Sequence, residues 1–105
     1  MKIEYGVCSP YLEVAEKNLP LHFHIVIEEI PYPVLTLHNG MGRCVRAEVT
    51  HKVRTNGVGE SYCIPDDVYS FEKGAKIALQ RALDNTTLSD AHRIKIWEGF
   101  CHFLP

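Results

Sequence analysis

Seven side chains in this sequence combine the charge and aromatic surface needed to hold an anionic ring compound: Arg93, Arg81, Arg46 and Arg54, with Trp97, Phe100 and Tyr69. A guanidinium offers five donors in a planar fork that suits phosphate, while an aromatic ring can cover a base. Arg93 leads the set. On a wheel advancing about 100° per residue it falls between Phe100 and Trp97, inside an apolar arc where a charge needs a partner. The competing reading is a first-turn arginine that lays its stem on apolar surface and reaches water. Arg46, Lys52 and Arg54 alternate on one strand face and form either a basic stripe or a solvated face with Glu48 as counter-charge.

Other chemistries find less support. The sequence has no nucleotide-binding glycine loop, no HExxH and no GxSxG. Asp66 and Asp67 follow Pro65 just ahead of a helix, where turn and cap duty suits them better than acid–base work. Cys63 has acidic rather than basic neighbours, so it is not nominated as a nucleophile. His22 and His24 share a strand face and could bind a metal if a third ligand came from elsewhere. Cys63, Cys44 and His51 could meet across adjacent strands. Neither set has the spacing of an established site. The expectation is a protein without catalysis, metal or cofactor.

The chain has 105 residues and a formal net charge of −2. That length suits one domain with one core. The charge gives no electrostatic reason for strong non-specific binding to nucleic acid. No apolar run is long enough for a membrane span, and no basic start leads into an apolar stretch, so a cytosolic location is expected. Four scattered cysteines without a CxxC pair read as free thiols.

The elements that must position these side chains are read from periodicity. The expected fold is α+β: a three- to four-stranded antiparallel meander, within about residues 20–64, packed with two C-terminal helices over about 70–84 and 89–103. Ile3, Tyr5 and Val7 alternate like a short strand, and Pro10 to Asn18 suits a turn or two of helix. Leu21, Phe23, Ile25 and Ile27 alternate with polar residues as a half-buried strand does. Pro31 and Pro33 are expected to break that strand into a turn or edge. Val34 to Leu37 forms a short strand before the hairpin signal Asn39-Gly40. Gly42 to Arg54 is the longest expected strand, Thr55 to Gly59 a turn, and Glu60 to Ile64 the return.

Ser70 is a good N-cap for the first helix, with Glu72 in its first turn. Phe71, Gly74, Ala75, Ala78, Leu79 and Ala82 share one arc, a narrow stripe of small residues suited to close packing. Lys73, Lys76, Gln80 and Asp84 lie opposite. Ser89 is expected to cap the second helix, whose arc of Ile94, Ile96, Trp97, Phe100, Cys101 and Phe103 covers half the wheel. Such a helix buries two sides in a small domain, or one side in the subunit and the other against a partner; the second reading is favoured, and the simplest partner is a second copy. Trp97 with Phe100, or Ile96 with Phe103, would supply the two-fold contact.

The run from Cys63 through Pro65-Asp66-Asp67, Ser70-Phe71-Glu72-Lys73-Gly74-Ala75-Lys76 and Ile77-Ala78-Leu79 to Leu83 resembles a pattern in small bacteriophage accessory proteins. Among these it looks like the Thoeris anti-defence family, and covers about a third of the chain. The resemblance implies a cytosolic, phage-encoded sponge that sequesters a cyclic ADP-ribose immune signal and forms homo-oligomers. It assigns no ligand contact to an individual residue. A protein-binding inhibitor of a host defence complex, of the anti-CRISPR kind, and a small nucleic-acid-binding accessory protein are the alternative readings.

Overall fold

The computed structural model describes residues 1–9, 21–34, 40–51, 54–63 and 69–104. Four strands, β1 (Lys2–Ser9), β2 (Leu21–Val34), β3 (Gly40–His51) and β4 (Arg54–Cys63), form one antiparallel sheet in the order β1-β2-β3-β4. Two helices follow, α1 (Phe71–Asp84) and α2 (Asp90–Cys101). The α+β meander expected from periodicity is present with four strands, and it starts at Lys2 rather than near residue 20. Among the described residues, no helix is long and apolar enough to cross a membrane.

Alternation decides which face of the sheet is covered. Phe23, Ile25 and Ile27 of β2 and Val45, Ala47 and Val49 of β3 are buried under the helices, with Ile3, Tyr5 and Val7 of β1 packed at their side. Each large aliphatic or aromatic group so removed from water contributes roughly 1.5–3 kcal/mol. The opposite face carries a row of cross-strand neighbours, Lys2, Glu28, Arg46 and Glu60, whose charges alternate across all four strands.

Pro31 and Pro33 do not break β2, which runs 14 residues to Val34 and is longer than the 12-residue β3. The Glu29 N–H donates to the Met1 carbonyl at 3.0 Å, so odd residues of β2 turn their nitrogens toward β1. Pro31 and Pro33 share that parity and lie past the paired part of β1, where no ladder bond is lost. Val34 is the last residue of β2 rather than the first of a new strand, and it pairs with Gly40. The proposed helix at 10–18, Asn39 of the hairpin signal and the rest of 35–37 lie outside the described residues.

Thr55 to Gly59 is a second departure, because these residues belong to β4. Its register with β3 shifts between Val49 and Thr50, which inserts Asn56 as a bulge. The glycines serve an approach of backbone to backbone. A Cβ on Gly57 would lie 2.2 Å from the Ala82 carbonyl oxygen, and one on Gly59 2.2 Å from the Ala82 nitrogen and 2.3 Å from the Ala78 oxygen. The third position on this face, Ser61, donates to the Gly74 carbonyl at 2.8 Å. The stripe Gly74, Ala78 and Ala82 therefore rides on the track Gly57, Gly59 and Ser61, as its small side chains suggested.

Ser70 caps α1 by accepting from the Lys73 N–H at 3.3 Å. Ser89 makes no side-chain cap, and α2 ends at Cys101, two residues short of the expected Phe103. β4 lies at the edge of the sheet, and side chains of α1 guard it. Arg81 donates to the Glu60 carbonyl at 2.7 Å and Asn85 to the Val58 carbonyl at 2.9 Å.

Candidate functional site: a cleft between the helices

α1 packs on β3 and β4 while α2 packs on β1, so a gap opens between them. α2 is fixed from below: the Tyr5 hydroxyl donates to the Ile96 carbonyl at 2.8 Å, and Gly99 lies against the Tyr5 ring. Ile96 and Phe100 are fully buried and His92 nearly so, its ring 5.6 Å from that of Phe23. Ile96 and Phe100 are therefore spent inside the subunit, which removes them from the two-fold contact expected from the wheel.

The gap is a cleft of about 480 Å³, within the range typical of small-molecule sites. Its two walls differ in chemistry. α2 and the residues after it supply Trp97, Phe100, Cys101 and Leu104, with Trp97 and Phe100 edge to face at 5.6 Å. α1 supplies Lys76, Ile77, Gln80, Arg81 and Asp84. Gln80 donates to Asp84 at 2.9 Å, and Lys76 pairs with Glu72 at 3.3 Å. The Arg81 bond to Glu60 uses one guanidinium nitrogen and leaves further donors on the fork.

The seven residues singled out in the sequence fall in separate places. Arg81, Trp97 and Phe100 meet in the cleft. Arg93 stands at the turn joining the helices, where its Nε donates to the Leu88 carbonyl at 3.2 Å and a terminal nitrogen lies 3.6 Å from Asp84. It clips the end of the cleft together and does not line it. Arg46 is on the far face of the sheet, in register with Glu28 and Glu60. Arg54 opens β4 in register with His51. Lys52 lies outside the described residues.

Tyr69 precedes α1, with the Arg43 guanidinium 5.0 Å from its ring centroid. Arg43 also pairs with Glu29, which the terminal amine approaches at 3.5 Å. Burial works to raise the Glu29 carboxyl, but the hydrogen bond and charge of Arg43 outweigh it and hold the group below its ordinary value. The Tyr69 hydroxyl is buried beside the Glu29 carboxylate. Burial and then the Glu29 charge push it up to about 12.

Lys76, Gln80 and Asp84 were visible in the sequence only as the polar side of α1. Their spacing of four residues places them in one line along the helix, which becomes a wall once α2 lies beside it. Among the described residues, no group of three His, Cys, Asp or Glu side chains is placed to hold a metal. His24 instead meets Glu4 at 2.8 Å. Cys44 and Cys63 have opposite parity on adjacent strands, so they point to opposite faces of the sheet. The Cys44 thiol donates to Glu60 at 3.3 Å, and burial followed by that carboxylate pushes it up to about 11. Its reactivity is correspondingly low.

In comparisons with known proteins, the chain matches no family model, no curated protein and no solved structure.

Proposed function

We propose that this protein binds a phosphorylated, nucleotide-type small molecule in the cleft between α1 and α2 and holds it without turning it over. One observation carries the reading: an aromatic wall, Trp97 and Phe100, faces a polar wall that holds the cations Lys76 and Arg81 across about 480 Å³. The ring of such a ligand stacks on Trp97, and its phosphate takes Lys76 and the free donors of Arg81. The resemblance noted in the sequence extends this to a phage-encoded sponge for a cyclic nucleotide-type immune signal. The reading includes self-association through the apolar group that α2 leaves at the surface, Ile94 at 55% exposure.

Calorimetry with AMP, ADP-ribose and cyclic ADP-ribose tests the binding, and Lys76→Glu is the informative variant. Lys76 is half exposed and its ion-pair partner among the described residues is the exposed Glu72, so its reversal leaves the fold intact. Binding that weakens about tenfold or more in Lys76→Glu, with the ligand recovered unchanged by mass spectrometry, supports the reading. Equal affinity in both proteins, or turnover of the ligand, overturns it.

A further inference from the structure

A second hollow of about 400 Å³ lies beside the cleft, and the two share Phe100 and Leu104 as a common wall. Its lining is unlike that of the cleft. Phe71, Phe100 and Phe103 provide three aromatic rings, Ile3 and Met1 add apolar surface, and Lys2 and Glu72 line it as well. Phe103 is half exposed and rests on the Tyr5 ring at a centroid distance of 5.5 Å. The cleft has two cations, Lys76 and Arg81, whereas the hollow has Lys2, which stands 3.7 Å from Glu4, beside room and apolar surface for a ring.

A mononucleotide fills one of these spaces and leaves the other to water. Phe71 and Phe100 are already buried, so the surface a ring would cover is chiefly that of Phe103, 47% exposed, and the gain is in proportion to the apolar area removed from water. A molecule that carries a second ring past Leu104 gains that area without immobilising a second ligand, since its two ends are already joined.

We infer that the ligand of this site is two-ended: one aromatic ring and the phosphates occupy the interhelical cleft, and a second ring occupies the hollow formed by Phe71, Phe100 and Phe103. The inference rests on the cleft being the nucleotide site. It assigns the hollow to the far end of the same molecule and makes Phe103 a specificity-determining residue. Phe103 reads the second ring and does not touch the phosphates.

The experiment compares AMP with diadenosine diphosphate on the full chain by calorimetry. The expected result is one diadenosine diphosphate per chain, bound about tenfold or more tighter than AMP. In Phe103→Ala that advantage falls to about threefold or less, while AMP affinity stays unchanged. Phe103→Leu, which keeps an apolar side chain on Tyr5, serves if the alanine variant does not fold, and should lose an intermediate part of the advantage. If AMP binds and diadenosine diphosphate binds no tighter, the two-ended ligand is wrong and the cleft reading stands. An advantage undiminished in both Phe103 variants also overturns the assignment of the hollow. If neither compound binds, the cleft reading falls and this inference falls with it.

Discussion

Gly59 and Ala82 meet backbone to backbone, since a Cβ on Gly59 would sit 2.2 Å from the Ala82 nitrogen. Neither β4 nor α1 can give way alone, because the backbone contact repeats at Gly57, and a Cβ on Gly74 would meet the Val45 side chain of β3 at 2.7 Å. Gly59→Ala should therefore cost at least about 3 kcal/mol or prevent folding altogether. Gly6→Ala is the control. Its Cβ would meet only the Phe23 carbonyl oxygen at 3.7 Å, an ordinary contact. Urea unfolding followed by circular dichroism separates the two, and similar midpoints for both variants would contradict the packing described.

Arg93 makes a different kind of contact. Its bonds to the Leu88 carbonyl and to Asp84 hold the turn between the helices. Arg93→Ala should lower stability by about 1 kcal/mol, seen as a fall of several degrees in Tm. Affinity for a cleft ligand should change less than twofold. A variant that melts like the wild type but no longer binds would return Arg93 to the ligand.

Tyr69 gives a pH signature. Its folded value of about 12 lies above the ordinary value of 10.0. A raised value means that the neutral phenol is favoured in the fold, so that contribution is complete below about pH 10 and is lost as pH rises through about 12. Compared with Tyr69→Phe, the wild type should lose stability across that alkaline window and hold a constant difference at neutral pH. A difference flat from pH 8 to pH 12 would show that the hydroxyl is not buried beside Glu29.

Thiol chemistry can report on the cleft. Cys101 is exposed and lines it, Cys8 is exposed elsewhere, and Cys44 is buried. Maleimide labelling with peptide mapping should modify Cys8 and Cys101 quickly and Cys44 last. A cleft ligand should slow Cys101 alone. Protection of Cys8 to the same extent would place the ligand elsewhere or implicate a global change.

Much of this architecture could be read from alternation and capping. Phe23, Ile25 and Ile27 announce a half-buried strand, Ser70 marks the start of α1, and Gly74, Ala75 and Ala78 announce close packing, to which the structure adds Ala82. Glycine is where the reading failed, because Gly57 and Gly59 look the same in sequence whether they turn a chain or make room for a helix. Parity made the prolines ambiguous in a similar way: Pro31 and Pro33 are harmless only because β1 does not extend beside them. The wide apolar arc of α2 correctly signalled two apolar sides. How they divide depends on the sheet: Ile96 is buried over Tyr5 of β1, Phe100 is buried with its edge at the cleft, and Trp97 stands in the cleft. Arg93 was placed inside that arc, but its partners are Leu88 of the interhelical turn and Asp84 at the end of α1, contacts that no wheel contains.

The guarding of β4 by Arg81 and Asn85 reaches beyond the single subunit. A strand from another molecule arriving at this edge would find two of its acceptor carbonyls already taken and would have to displace a guanidinium and an amide to dock. Fibre-like growth by strand addition is thereby discouraged on that side. The chain's resistance to such growth when concentrated is set there by two side chains of a helix, and only indirectly by the sheet they protect.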